Sequence, residues 1–111
     1  MVMGPHAALG NFPRAAEYNV EWVTDLIRYA RARGLTRLEP TEEGVAEWTE
    51  HVKALGQGTL VNEVNSWMTG VNSNVEGKQI RRIMRYAGTY PSFREHCDAV
   101  AADGYRGLGL A

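Results

Sequence analysis

The most suggestive chemistry in the sequence comes from a run of basic residues: Lys78, Arg81, Arg82 and Arg85. Guanidinium groups bind phosphate oxygens through paired hydrogen bonds, so the run predicts contact with an anionic ligand. A solvated basic face, or pairing with acidic helices, explains the same pattern more often. The sequence leaves both interpretations open.

The glycine-rich stretch before this run, residues 70–78 (GVNSNVEGK), invites comparison with the phosphate-binding P-loop. A P-loop has four residues between its glycines and a serine or threonine after its lysine. Here six residues separate Gly70 from Gly77, and Gln79 replaces the hydroxyl residue. The stretch therefore predicts an irregular loop. Trp67, just before it, could cover a planar ligand or anchor the core.

Histidine and cysteine are too scattered to form an obvious site. His6, His51 and His96 are far apart, and the adjacent side chains of His96 and Cys97 would point about 100° apart on a helix. A Cys97 thiol with His6 or His51 as its base is formally available, but a packed, inert Cys97 is favoured. We predict no catalytic residue and no metal site in this chain.

The composition is that of an ordinary globular protein. The chain has 111 residues, 44% of them hydrophobic, which predicts a core and a single structural unit. The net charge of -1 gives no basic footprint for nucleic acid, and no apolar run reaches the about 18 residues that span a membrane. The single cysteine forms no internal disulfide, which favours the cytoplasm. We expect neither nucleic-acid nor membrane partners.

Apolar spacing predicts helices along much of the chain. The first covers Pro13 to Arg33, with Asn11 or Phe12 at its cap and Gly34 at its end. The second begins after Thr41 and ends at Gly56. The apolar stripe of the first helix consists of Trp22, Val23, Leu26, Ile27 and Ala30.

A third helix is predicted from Ser92, where a glutamate three residues later forms a capping box, to Gly104. Residues 60–68 give a weaker helical pattern, and residues 79–86 are ambiguous between a strand and a helical turn. The predicted fold is mainly α, with about three main helices, long loops and short strands at the two ends, the first at Met1–Met3.

The stretch 65–72 (NSWMTGVN), followed by Gly77 and Lys78, resembles the C-terminal signature of Baeyer-Villiger monooxygenases. These flavin-dependent enzymes insert oxygen beside a ketone. Other stretches of the chain are also similar to the family, and they occur in the same order as in the family. They are Gly4-Pro5, Leu9-Gly10-Asn11, Val20-Glu21-Trp22-Val23 and residues 97–105.

The resemblance implies that residues 1–34 are the last strand and helix of a flavin domain, and that residues 35–111 are C-terminal helices with a cofactor-contacting loop. The chain would be a fragment of a flavoprotein fold with two dinucleotide-binding domains. The family's two glycine-rich fingerprints and its catalytic arginine are not found in this sequence. The resemblance therefore implies an FAD- and NADPH-dependent enzyme with a ketone substrate, of which this chain alone is inactive and binds no cofactor.

The resemblance also assigns site residues. The residues near the flavin would be Gly4, Pro5, Asn11 and Phe12, and Leu9 would border the ketone pocket. Trp67 would contact the nicotinamide cofactor, and Lys78 would fix the loop that makes this contact. The core face of the first helix would be exposed unless an N-terminal flavin-binding piece covers it.

A second interpretation, from another functional class, is a small helical module without catalysis. It would associate with itself or bind a partner through Trp22, Trp48 and Trp67. The mass of the chain in solution separates this interpretation from that of a monomeric fragment.

Overall fold

Three α-helices and two short strands form the structure of residues 11–65, 69–82 and 85–111, the part of the chain that this computed structural model describes. The helices are α1 (Phe12–Ala32), α2 (Glu42–Gly56) and α3 (Tyr90–Ala102). The strands are β1 (Leu38–Pro40) and β2 (Leu108–Leu110). The predicted mainly α fold with three main helices is confirmed. The strand predicted at Met1–Met3 lies outside the described residues.

The ends of α1 follow the predicted capping chemistry. Asn11 is the N-cap, and its side-chain oxygen accepts a hydrogen bond from the Arg14 amide at 3.1 Å. At the other end Gly34 adopts a positive φ of 68°, and its amide donates to the carbonyl of Arg31. The Leu35 amide donates to the carbonyl of Ala30, which completes a Schellman motif. The first helix therefore begins and ends where local residue types dictate.

The apolar residues of α1 divide into two stripes. The buried stripe includes Ala15, Tyr18, Leu26 and Ala30. The second stripe is exposed, so Val23 and Ile27, which were predicted to share one apolar face with Leu26, do not join the core. We call this second set the α1 stripe: Phe12, Val20, Val23 and Ile27, each between 42% and 54% exposed.

The chain forms two compact units, Met1–Glu47 with Thr89–Ala111, and Trp48–Gly88. In the first unit, the core lies between α1 and α3. The Tyr18 hydroxyl donates to Asp98 at 2.7 Å, and the Trp22 indole donates to the carbonyl of Cys97 at 2.9 Å.

Tyr105, directly after the turn that ends α3, completes this core. Its side chain is 5% exposed, and its ring lies edge-on to Trp22 at 5.2 Å and to Tyr29 at 5.0 Å between ring centroids. Its φ is +61°, the only positive value among the described residues other than glycine. Tyr105 is held in a left-handed conformation because its ring fills the space between two α1 side chains.

The two strands pair antiparallel and bring the C-terminal end of the chain beside the start of α2. Leu38 pairs with Leu110, and Pro40 pairs with Leu108. The Gly107 carbonyl accepts the amide of Thr41 at 2.9 Å. β1 was not predicted, because three residues ending in proline carry no alternating pattern, and only pairing with β2 orders them.

Gly44 is required where α2 passes Gly107, and Gly44→Ala is expected to lower the free energy of unfolding by about 1–3 kcal/mol, the usual cost of overpacking. A Cβ at position 44 would lie 2.5 Å from the carbonyl oxygen and 2.7 Å from the Cα of Gly107. Because both atoms belong to the backbone, no side-chain rotation relieves the clash. The cost of this clash exceeds the roughly 1 kcal/mol by which alanine stabilises a helix relative to glycine.

Urea denaturation followed by circular dichroism measures this change. Gly109→Ala is the matched control, since a Cβ there meets nothing closer than 3.6 Å. Equal stability of Gly44→Ala and Gly109→Ala would contradict the close approach.

The third helix begins earlier than predicted. Its N-cap is Thr89, whose hydroxyl accepts the Ser92 amide at 3.3 Å, so Ser92 lies in the first turn and is not the cap. The prediction failed because Ser92 and Glu95 match a capping box, whereas Pro91 fits the first turn only if the helix has already begun. The predicted end at Gly104 is confirmed by its positive φ of 66°.

The reassigned cap makes a direct prediction. Thr89→Ala is expected to lower the free energy of unfolding by about 1 kcal/mol, whereas Thr89→Ser, which keeps the hydroxyl, is expected to change it little. Thermal unfolding of the two variants beside the parent chain measures the difference. If Ser92→Ala costs more than Thr89→Ala, the cap is wrongly placed.

The second unit contains the rest of α2, a 3-10 turn at Leu60–Glu63 and irregular chain. Trp48 stacks on Tyr86, with ring centroids 5.7 Å apart and planes at 9°. Tyr86 is 2% exposed and anchors the core of this unit. The weak helix predicted for 60–68 is limited to the 3-10 turn in the described part. The ambiguous segment 79–86 is neither helix nor strand at its described positions, 79–82 and 85–86.

Candidate functional site

The predicted site residues divide between described and undescribed parts of the chain. Three of them, Asn11, Phe12 and Lys78, are described. Asn11 and Phe12 belong to the first unit and Lys78 to the second. The remaining predicted site residues, which lie outside the described residues, are Gly4, Pro5, Leu9 and Trp67.

Asn11 and Phe12 form the N-terminal end of α1. Asn11 has an extended backbone, and it accepts two hydrogen bonds, from the Arg14 amide on its side chain and from the Ala15 amide on its carbonyl. Phe12 is 42% exposed. No acidic residue occupies the first turn of α1. The positive end of the helix dipole therefore has no acidic side chain from its own first turn to offset it.

The exposed ring of Phe12 gives this end of α1 an apolar surface. The first turn has few free amides, because the Arg14 and Ala15 amides donate to Asn11 and Pro13 has no amide hydrogen. The Tyr90 hydroxyl of α3 donates to the carbonyl of Arg14 at 3.3 Å, so α3 contacts this end of α1.

Lys78 closes the loop of residues 70–78, which the structure confirms as irregular. The carbonyl of Lys78 accepts the Asn72 amide at 2.8 Å, and its amide donates to the carbonyl of Val75 at 3.2 Å. Asn72 also accepts the Asn74 amide on its side chain at 3.0 Å. The backbone of Lys78 thus holds the two ends of the loop together, while its side chain stays exposed.

A basic groove of about 1060 Å³ lies in the second unit. Lys53 reaches it from α2, Lys78 from the loop, and Arg81 and Arg82 from the segment that follows. Glu63 is the one carboxylate among the described residues that line it. The predicted basic run is therefore brought together in part, since Arg85 is not among those residues.

Sequence reasoning missed Lys53. It lies 25 positions before Lys78, and its partner along the chain is Glu50, whose carboxylate it meets at 2.6 Å. An acidic residue three positions before a lysine predicts a solvated helix face. Only the path of the chain after α2 places Lys53 beside the basic run.

Cys97 and its neighbours form the second cluster of titratable groups, at the contact of α1 and α3. Burial, with a smaller effect of the Asp98 charge, raises the pKa of the Cys97 thiol from 9.0 to about 11. Burial and the hydrogen bond to Asp98 raise the pKa of Tyr18 above its ordinary value. Both groups stay protonated at neutral pH, so neither Cys97 nor Tyr18 is an activated nucleophile.

Neither a metal-binding cluster nor a membrane-spanning helix is found among the described residues. No group of three or more histidine, cysteine, aspartate and glutamate side chains is placed there to hold a metal ion. No helix there combines the length and the apolar character needed to cross a membrane.

Known proteins resemble this chain over nearly all of its length, although no protein-family model matches it. It is 38% identical over 109 residues to an acetone monooxygenase (methyl acetate-forming) of Gordonia sp. strain TY-5. The aligned region covers 98% of this chain and 20% of that enzyme. It is 31% identical over 108 residues to a Baeyer-Villiger monooxygenase of Pseudooceanicola batsensis, covering 97% of this chain and 19% of that protein.

A solved structure gives the same result. The chain superposes on OTEMO in complex with FAD and NADP with a TM-score of 0.80 and 32% identity, covering 99% of this chain and 20% of that one. The chain spans about a fifth of the length of the relatives it matches. The resemblance is confirmed: this chain is homologous, over nearly all of its length, to one segment of the Baeyer-Villiger monooxygenases.

Proposed function

We propose that residues 1–111 act as one C-terminal segment of an FAD- and NADPH-dependent Baeyer-Villiger monooxygenase that converts ketones to esters or lactones. The main support is the alignment of 98% of the chain with an acetone monooxygenase whose name states that it forms methyl acetate. OTEMO, which the chain resembles in fold, was solved with FAD and NADP. The single cysteine supports the cytoplasm as the compartment.

The α1 stripe adds a structural observation in support of this proposal. Its four large apolar side chains lie within about 80° of the helix circumference, at 100° for each residue. A contiguous apolar face of this kind marks a surface that another part of a protein covers. The relatives are about five times longer than this chain, so the occupant is the flavin-binding remainder of the enzyme. Docking would place the N-terminal end of α1 at the flavin.

In that assembly the flavin and the nicotinamide, when bound, supply the redox chemistry. This chain contributes binding and orientation. Phe12 covers the cofactor and excludes water, while Asn11 fixes the first turn by accepting two amides. Lys78 fixes the loop of residues 70–78, and Trp67 remains a proposed contact of the nicotinamide. Gly4, Pro5 and Leu9 remain proposed neighbours of the flavin and of the ketone pocket.

The proposal is tested by mixing the purified chain with the part of the Gordonia acetone monooxygenase that the alignment leaves out. NADPH consumption that depends on acetone is expected from the mixture and from neither piece alone. Activity of the isolated chain would contradict its assignment as an inactive segment. A mixture without activity and without a stable complex would contradict the proposed assembly.

The α1 stripe provides a matched pair of variants for this experiment. Val20→Asp places a new carboxylate in the stripe, whereas Glu21→Asp, at the next position on the solvated face, shortens an existing carboxylate and leaves the charge unchanged. Val20→Asp is expected to abolish the reconstituted activity, and Glu21→Asp to leave it unchanged. Both residues are exposed, so neither change disturbs the core of the isolated chain.

The second candidate function is an association module without catalysis. The exposed α1 stripe favours it, but Trp22 and Trp48 do not, because Trp22 packs on Tyr105 and Trp48 stacks on Tyr86 within their own units. Sedimentation of the isolated chain distinguishes the two. A dimer that Val20→Asp dissociates would support the module, and a monomer would leave the enzyme segment as the better reading.

A further inference from the structure

We propose that the basic groove of the second unit is a binding site for a phosphate group carried by a small molecule. This inference does not depend on the proposed oxygenation activity. It rests on the four basic side chains of the groove, Lys53, Lys78, Arg81 and Arg82, and on how they are held.

The charge of the groove is largely uncompensated. Lys53 is paired with Glu50 at 2.6 Å, and Glu63 is the one carboxylate among the described lining residues. Among the described residues, no ion pair involves Arg81 or Arg82. Like charges held close together repel, so a site of this kind is stabilised when an anion enters it.

Arg81 is oriented before any ligand binds. Its two terminal nitrogens donate to the carbonyl of Asn62 at 2.7 Å and to the side-chain oxygen of Asn65 at 2.6 Å. Both acceptors are neutral, so these bonds fix the guanidinium and leave its charge available. Arginine has five N–H donors, and the remaining ones can meet phosphate oxygens. A side chain that is already fixed loses less entropy on binding.

The segment that carries Arg81 and Arg82 is also fixed to its own unit. The amide of Arg82 donates to the carbonyl of Thr69 at 2.8 Å, and Thr69 is 1% exposed. The backbone that carries Arg81 and Arg82 is therefore fixed by a hydrogen bond to a buried residue. Lys78 lies on the adjoining loop, whose ends are closed by the hydrogen bond from the Asn72 amide to its carbonyl.

The size and lining of the groove indicate the class of ligand. A volume of about 1060 Å³ admits a molecule much larger than free phosphate. Gln57 and Asn62 add neutral polar groups to the wall, and Ile80 adds an apolar surface. A phosphate or diphosphate attached to an organic body fits this combination. Such a group could belong to the nicotinamide cofactor or to a separate phosphorylated compound.

Calorimetric titration of the complete 111-residue chain with inorganic pyrophosphate, NADP⁺ and NAD⁺ tests the proposal. We expect saturable pyrophosphate binding with a Kd below about 1 mM. Arg82→Gln is expected to weaken it about tenfold, as the loss of one charge-assisted hydrogen bond implies, while Arg82→Lys retains part of it. Arg31→Gln removes the same charge from an exposed site in the other unit and serves as the control.

The outcomes separate the sources of the phosphate. NADP⁺ binding that exceeds NAD⁺ binding, with the excess lost in Arg82→Gln, would assign the groove to the cofactor's phosphate monoester. Equal binding of the two, displaced by pyrophosphate, would assign it to a diphosphate. Absence of saturable binding, or equal weakening by Arg82→Gln and Arg31→Gln, would overturn the site. If Arg82→Gln alters the circular dichroism spectrum, Lys78→Gln serves as the test, with the same expectations.

Discussion

Tyr105→Ala is expected to lower the free energy of unfolding by about 3–5 kcal/mol, the range for removing a large buried aromatic side chain. The ring is 5% exposed and touches Trp22 and Tyr29 edge-on. Its removal leaves both α1 side chains without their partner from the C-terminal end of the chain. It also leaves a cavity that a helix cannot collapse to fill.

The backbone of Tyr105 adds a second, unusual expectation. Its φ of +61° costs an ordinary side chain about 1 kcal/mol or more, and glycine pays no such cost. Tyr105→Gly should therefore be at least as stable as Tyr105→Ala, the reverse of the usual order. The parent chain tolerates the strain because the packing of the ring outweighs it.

Urea denaturation of Tyr105→Ala, Tyr105→Gly and Tyr105→Phe measures both effects. Tyr105→Phe keeps the ring and is expected to lose no more than about 1.5 kcal/mol, the scale of one hydrogen bond. A Tyr105→Ala variant as stable as Tyr105→Phe would show that the ring contributes little. A Tyr105→Gly variant clearly less stable than Tyr105→Ala would argue against backbone strain.

Local chemistry explains which parts of this fold could be predicted. The ends of α1 depend on Asn11 and Gly34, residues whose types specify a cap and a left-handed turn. The start of α2 after Thr41 follows the same rule, with the Thr41 hydroxyl accepting the Gly44 amide at 3.0 Å. Such signals lie within a few residues of the element they define, so a single sequence contains them.

Long-range contacts explain what could not be predicted. β1 exists because Leu38–Pro40 pair with Leu108–Leu110, some seventy positions later. The left-handed Tyr105 depends on Trp22 and Tyr29, and its residue type gives no sign of positive φ. The exposure of Val23 depends on which face of α1 meets α3. None of these has a local signature.

The candidate site divides in the same way. The basic run from Lys78 to Arg82 was visible as neighbouring residues, whereas Lys53 joins it only through the fold. The roles of Asn11, Phe12 and Lys78 came from the resemblance to the monooxygenases, since an N-cap, an exposed phenylalanine and a loop lysine specify no cofactor by themselves. Residue types along the chain are visible in the sequence, whereas the meeting of Lys53 with Arg81 and Arg82 depends on the fold.

Cys97 is expected to react with iodoacetamide about a hundredfold more slowly at pH 8 in the folded chain than in urea, because two pKa units separate the two states and only the thiolate reacts. The pKa of Cys97 rises from 9.0 to about 11 through burial and the charge of Asp98. The rate in the folded chain should therefore climb with pH toward a midpoint near 11.

The free energy of unfolding is expected to fall as the pH rises from 9 to 11, because the folded state favours the neutral thiol of Cys97. In that interval Cys97 keeps its thiol proton in the folded chain and has lost it in the unfolded chain. Mass spectrometry of timed samples measures alkylation, and a cysteine peptide under the same conditions corrects for the effect of urea. Folded and unfolded rates within threefold of each other would contradict a suppressed thiol and would restore Cys97 as a candidate nucleophile. A slow folded rate would show that packing between α1 and α3 keeps the Cys97 thiol protonated and unreactive.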